Sequence, residues 1–333
     1  MCTMYIGMDI HKSHIQATVI NGKGKTIAEE RFGASKEEIQ RFVKSFKNPS
    51  VAIESSYAWM YVYEALNELG VDVTLVNVRA TKVIAEARIK TDRLDSAAIA
   101  QCLRTGFIAK SYIAPKNVRD LRDLTRHRLY LTRDLTRMKN RVQSMLQMNG
   151  MKHPFTDLFG KSGREWLKRL ELPAAERRKL DSWLRVVDAL AEEKRAATER
   201  IESVCKISSN AMLLTTIKGI GYYSALAITA EIGDIGRFNS PKKLCSYAGL
   251  VPSTRQSGMH TYHGPTMKQC NTNLKWILIQ CAHSHVRHCR SRITKLFSRV
   301  AKKKGVNKAT VAAAREMLHV IWFMLSRNEP FRE

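Results

Sequence analysis

The chain has 333 residues, 44% of them hydrophobic, with 56 Lys and Arg against 30 Asp and Glu, a formal net charge of +26 and a pI near 10.0. That length suits two or three domains with a full core, and that charge seeks a polyanion, nucleic acid ahead of an anionic membrane surface. No run of about 20 apolar residues is present to span a bilayer, Met1–Gly7 lacks the basic and apolar regions of a secretion signal, and the seven cysteines are scattered without a CxxC pair, as thiols in a reducing cytoplasm are.

In chain order, Met4 to Ile10 alternates: Met4, Ile6, Met8 and Ile10 share one face, and Tyr5, Gly7 and Asp9 the other, the period of a strand. Ile15 to Ile20 reads as a second strand, Asn21-Gly22-Lys23-Gly24 as a turn favouring positive φ, and Thr26 to Phe32 as a third strand. Ser35, with Glu38 three residues on, forms a capping box for a helix to about Phe46. Ser50 to Glu54 is a short buried strand. Ser55 or Ser56 caps the next helix, which runs through Leu69 and ends at Gly70. Val71 to Val76 is a further strand, followed by more helix. Three strands, helix, strand, helix, strand is the order of an RNase H-like α/β domain.

Four carboxylates occupy telling places in that order. Asp9 lies near the end of the first strand, opposite its apolar neighbours, and Glu54 ends the fourth. Asp92 and Asp95 stand three apart in Lys90-Thr91-Asp92-Arg93-Leu94-Asp95, on one face of a helix. Singly, each reads as a turn, cap or surface ion-pair residue. Together, in so basic a chain, they read as metal ligands. Hard cations around a phosphate need several oxygens from separate segments. Two metals about 3.5–4 Å apart stabilise both the attacking and the leaving oxygen of an in-line displacement. An all-oxygen set favours two Mg²⁺ ions, with Mn²⁺ as an alternative, over zinc.

The middle of the chain is helical. Leu121, Leu124, Leu131, Leu135, Met138, Val142 and Met145 keep a heptad spacing broken by Arg128. Trp183, Val187, Leu190, Ala197, Ile201 and Val204 form a second run broken by Lys194. Such runs suggest a coiled coil, with the two helices paired to each other or to those of a second subunit. Three segments are therefore expected: 1–112, 113–208 and 209–333.

In the third segment, Thr216-Ile217-Lys218-Gly219-Ile220-Gly221 precedes an apolar helix from Tyr222 to Ile232. A Gly-x-Gly turn at a helix start leaves N–H groups free for a phosphate. Lys218, Gly219 and Gly221 thus look like a helix-hairpin-helix contact to a nucleic-acid backbone, and the plain alternative is an ordinary turn into a helix. From Arg237 onward, 18 Lys and Arg face three acids, Glu316, Glu329 and Glu333. Arg255, Lys268 and Lys275 are further phosphate-binding candidates in this region. His260, His263 and Cys270, and separately His283, His285, His288 and Cys289, lie close in sequence but lack the completed spacing of a zinc site.

The set Gly7-Met8-Asp9, Ile53-Glu54, Lys90-Thr91-Asp92-Arg93-Leu94-Asp95, Gly219-Ile220-Gly221, Ala248-Gly249-Leu250-Val251-Pro252 and Ser257-Gly258 resembles the DEDD transposases of bacterial insertion sequences, described as bridge-RNA-guided recombinases. The resemblance spans nearly the whole chain. It implies an RNase H-like catalytic domain akin to Holliday-junction resolvases, with Mg²⁺ on Asp9, Glu54, Asp92 and Asp95. It also implies a coiled-coil insert that helps subunits assemble into a dimer or tetramer, and a mostly helical C-terminal domain supplying Ser257 as catalytic serine. Implied partners are donor and target DNA and a structured guide RNA, in the bacterial cytoplasm at the nucleoid and without a membrane. A serine ester conserves phosphodiester energy, so strands can be rejoined without ATP, although serine needs activation. The alternatives are a junction endonuclease without a covalent serine step and a non-catalytic structural binder of RNA or DNA. Relatives usually carry a Gly-Asn…Leu-Arg stretch where this chain has Cys270-Asn271-Thr272-Asn273-Leu274-Lys275, so Lys275 keeps the charge but loses a bidentate contact.

Overall fold

A computed structural model describes residues 4–77, 80–81, 91–257 and 260–332, apart from the side chains of Arg255, Ser257 and His263. Lys90 and Gly258 therefore lie outside the described residues. The chain forms two compact units, Met1–Ile113 and Ala114–Glu333.

The first unit is built on a five-stranded sheet of β1 (Met4–Ile10), β2 (His14–Ile20), β3 (Thr26–Gly33), β4 (Pro49–Glu54) and β5 (Asp72–Val76), in the order β3-β2-β1-β4-β5. β1, β2 and β3 are antiparallel neighbours, while β4 runs parallel to both β1 and β5. Parallel neighbours need crossovers, and helices α1 (Lys36–Lys44) and α2 (Trp59–Asn67) supply them. Ser35 caps α1 by accepting from the Glu38 N–H at 3.3 Å. Helix α2 starts later than the sequence suggests. Ala58 is its N-cap and gives no side-chain cap, so neither Ser55 nor Ser56 performs that role.

The apolar face of β1, Ile6, Met8 and Ile10, packs with Ile39, Phe42, Val62 and Leu66 of these crossovers. Helix α3 (Asp92–Thr105) covers the opposite face, where Ile99 and Cys102 meet Ala52 and Val76. Gly7 makes this approach possible. A Cβ there would lie 2.2 Å from the Ser96 carbonyl and 2.5 Å from the Ala100 nitrogen. Thr18 and Ser96 share a buried 2.8 Å hydrogen bond that fastens α3 to β2.

The second unit is mostly helical. Helices α4 (Lys116–Met148) and α6 (Ala174–Lys206) are 33 residues each and pair with each other, with α5 (Lys161–Arg169) between them in sequence. Leu135 and Met138 pack on Val187, Trp183 and Leu190. The residue that breaks the first heptad run is used in the pairing. Arg128 donates to Thr198 Oγ1 at 3.0 Å and lies 3.8 Å over the Tyr223 ring. A large core follows, made by α7 (Ser209–Thr215), α8 (Tyr222–Ile232), α9 (Pro241–Tyr247), α10 (Thr272–His288), α11 (Arg292–Lys304) and α12 (Val306–Arg327). Between α9 and α10 stands a two-stranded antiparallel hairpin, β6 (Pro252–Ser257) and β7 (His260–Thr266). No helix among the described residues is long and apolar enough to cross a membrane.

Candidate active site

Met8 of β1 pairs with Ile53 of the parallel strand β4, so Asp9 and Glu54 stand side by side at the carboxyl ends of adjacent strands. Ligands of open α/β sheets gather at such strand ends. Both acids share the parity of Gly7 and Ala52, on the face that α3 covers. Asp9 is only 6% exposed. Burial, then a hydrogen bond shared with Asp9, then the charges of Asp9 and Asp95 push the Glu54 carboxyl up to about 7, against an opposing pull from His11. Carboxylates held this close repel each other, and a bound cation would relieve that repulsion.

Helix α3 delivers the other two acids. Thr91 caps it by accepting from the Leu94 N–H at 3.2 Å, which fixes Asp92 and Asp95 in the first turn, where the helix dipole favours negative charge. Burial raises the Asp92 pKa, but a hydrogen bond from His14 and the nearby charges of His11, His14 and Arg31 outweigh it and hold the group below its ordinary value.

Two histidines join the acids. His11 Nε2 lies 3.2 Å from Asp9 Oδ2 and 3.2 Å from Asp92 Oδ2, so it bridges the strand acid to the helix acid. His14 Nε2 lies 3.5 Å from Asp92 Oδ2, and the two imidazoles stack with centroids 4.6 Å apart. Sequence reasoning missed both. The signal was Asp9-Ile10-His11-Lys12-Ser13-His14, a strand-end acid followed by a tight turn with a histidine at each end; the turn closes with the His11 N–H donating to the His14 carbonyl at 3.0 Å.

The donor set fits a divalent cation. Ligand atoms of His11, His14 and Asp92 all lie within 4.8 Å of one another; Asp9 touches His11, and Glu54 feels the charges of Asp9, Asp95 and His11. Imidazole nitrogen beside carboxylate oxygen suits Mn²⁺ and other first-row ions better than Mg²⁺, which prefers an all-oxygen set.

The remaining candidates lie in the second unit. Gly219 has φ +96°, and a Cβ there would meet the His285 backbone nitrogen at 2.8 Å. His285 is buried; it hydrogen-bonds the Lys218 carbonyl through Nδ1 at 2.7 Å and Ser291 Oγ through Nε2 at 2.7 Å. The Lys218-Gly219 turn is thereby fixed against α10, whereas Gly221, the N-cap of α8, faces open space. Lys268 is exposed. Lys275 Nζ donates to Thr266 Oγ1 at 2.7 Å. The backbone of Arg255 pairs with Tyr262, and that of Ser257 with His260 at the end of β6; both side chains lie outside the described set.

A family model described as Transposase, the DEDD type of the IS110 elements, matches residues 6–149. A second, described as the transposase IS116/IS110/IS902 family, matches residues 211–298. The transposase for insertion sequence element IS1111A of Coxiella burnetii is 26% identical over 98% of this chain and 91% of its own length. The transposase for IS1328 of Yersinia enterocolitica is 22% identical over 98% of both chains. A probable family 20 transposase of Pseudomonas aeruginosa is 24% identical, again over 98% of each.

Proposed function

Because this chain belongs to the IS116/IS110/IS902 family of DNA transposases, we propose that it cuts and rejoins DNA strands through a serine ester, with divalent metal on the acids and an RNA guide choosing the sites. The carrying observation is the gathering of Asp9 and Glu54 at adjacent strand ends, with His11 bridging Asp9 to Asp92. Asp9, Glu54, Asp92 and Asp95 are assigned as ligands of two Mg²⁺ ions. A bound cation of this kind supplies Lewis-acid stabilisation of a phosphoryl oxygen.

The Ser257 hydroxyl attacks phosphorus. The Oγ–P bond forms as the bond from phosphorus to one deoxyribose oxygen breaks, and the serine proton passes to a base of the acidic site. In the second step a hydroxyl of the incoming strand attacks the same phosphorus and restores Ser257. The reading requires Ser257 to meet the acids in the assembled complex, from the same subunit or a neighbour. The long helices, paired as a coiled coil within the chain, are assigned to subunit assembly through the faces that pairing leaves free. Lys218, Gly219, Gly221, Arg255, Lys268 and Lys275 are assigned to backbone phosphates. Base pairing of a structured RNA with donor and target DNA then supplies sequence choice, as in other RNA-guided systems. The protein is placed in the cytoplasm, on the nucleoid.

Trapping a denaturation-resistant protein–DNA adduct tests this. The wild-type chain should yield it, while Asp9→Ala and Ser257→Ala should not. Strand cleavage that survives in Ser257→Ala would instead establish hydrolysis without a serine ester.

A further inference from the structure

We infer that Asn271 and Glu231 are positioning residues: together they clamp the base of the β6–β7 hairpin, and with it Ser257, to the long helix α4. This rests on the reading of Ser257 as nucleophile. The mechanism above leaves Asn271 and Glu231 without a task.

Glu231 is 2% exposed, at the end of α8. Arg126 of α4 grips its carboxylate with both arms, Nε to Oε1 at 2.7 Å and Nη2 to Oε2 at 2.8 Å. Arg122, one turn earlier, donates to the Ala230 carbonyl at 2.8 Å and the Glu231 carbonyl at 3.1 Å. A charge so deeply placed persists only when its partners are fixed.

Asn271 takes a third share of that carboxylate. Its amide nitrogen donates to Glu231 Oε2 at 2.8 Å and to the Tyr247 hydroxyl at 2.9 Å, while its side-chain oxygen accepts from the Leu274 N–H at 3.0 Å and caps α10. Its backbone N–H donates to the Tyr247 carbonyl at 2.8 Å. Tyr247 closes α9 just before the hairpin, and Asn271 opens α10 just after it. One residue thus ties the two ends of the hairpin together and ties both to Glu231.

Three further contacts carry this anchorage toward the strands. Gly249, at φ +66°, lets Cys270 approach so closely that a Cβ there would lie 2.4 Å from its Sγ. The Met267 N–H donates to the Val251 carbonyl at 3.2 Å, and Lys275 Nζ holds Thr266 Oγ1 at the end of β7. The chain of contacts is continuous: Arg126, Glu231, Asn271, hairpin base.

The test uses the full-length protein and its Asn271→Ala variant, with affinity for a DNA duplex, the adduct-forming rate at saturating DNA, and amide exchange across 252–266 as readouts. Displacing a reacting group by about 1 Å costs about 100-fold in rate. The clamp therefore predicts an adduct rate down by that order, unchanged DNA affinity, and faster exchange in 252–266 with α12 still protected. Weaker DNA affinity with an unaltered rate at saturation would overturn it, making Asn271 a DNA contact. Thr266→Val, which removes the acceptor of Lys275 and leaves the buried carboxylate alone, should slow adduct formation at saturating DNA and speed exchange in 252–266 to a smaller degree, and serves on those two readouts if Asn271→Ala does not fold. Should the wild-type protein form no adduct, the serine reading fails by itself, and exchange alone decides the clamp: faster exchange in the variant upholds it, and unchanged exchange removes it.

Discussion

Glu231 and His11 are single side chains whose placement determines more than their own contacts. Burial opposes the Glu231 charge, yet the hydrogen bonds and charge of Arg126, the amide of Asn271 and the charge of Arg122 outweigh that cost and hold its pKa below the ordinary carboxylate range. The sign follows from linkage. A depressed folded pKa gives stability that is fully present above the unfolded value of about 4.3 and is lost as pH falls through the folded value. Glu231→Gln should therefore unfold at lower urea at pH 7, by about 3 kcal/mol, and should lose less stability than the wild type between pH 4 and pH 2. Equal acid losses in the two proteins would show that Glu231 is not ionised in the fold. His11 is tested differently. If its nitrogen joins the acids in holding a cation, His11→Ala should weaken Mn²⁺ binding by about ten-fold or more in calorimetry and weaken Mg²⁺ binding less, because nitrogen donors favour the softer ion. The places of the four acids were legible, Asp9 and Glu54 at strand ends from the side-chain period and Asp92 and Asp95 on one helix face from their spacing. The histidines were not, since a histidine in a turn has many uses, and only the return of β2 beside β1 places His14 against Asp92, 78 residues away in sequence.

At the scale of elements, the site depends on how near α3 comes to β1. The approach is set by Gly7, where any Cβ would strike the α3 backbone. Gly7→Ala should cost about 1–3 kcal/mol through overpacking and should also abolish the thermal stabilisation that divalent metal confers, because α3 would carry Asp92 and Asp95 away from Asp9 and Glu54. Gly22→Ala is the control; open space surrounds Gly22, so its stability should stay within about 0.5 kcal/mol. Loss of metal response in both variants, or in neither, would break the link between helix approach and metal site. Strands and helices were read well where a side-chain period or a cap declares them: β1 occupies its alternating Met4–Ile10 run, and α1 begins after the Ser35 cap. The start of α2 was misplaced because two serines beside Glu54 imitate a cap that the backbone does not use. Heptad periodicity revealed both long helices, whereas period alone could not choose their partner. They pair with each other within the chain, and the Arg128 interruption is satisfied by Thr198 and Tyr223, contacts far away in sequence.

At the scale of the molecule, grip and chemistry are assigned to different parts of one chain. The acids of the candidate site lie in Met1–Ile113, while the stretch from Arg237 onward sets 18 basic residues against three acids. Phosphate contacts release counterions, so affinity for duplex DNA should fall steeply with salt, by about 10³–10⁵ between 50 and 200 mM if six to ten phosphates are neutralised. If the basic part supplies those contacts, neither Asp9→Ala nor chelation of divalent metal should alter the slope of log affinity against log salt, although both should abolish strand cleavage. Fluorescence anisotropy with a labelled duplex measures this directly. A slope that becomes shallower by one or two phosphates in Asp9→Ala, and equally on chelation, would mean that metal on the acids takes part in gripping the backbone. Ground-state binding would then already draw on interactions that the division of labour reserves for the transition state.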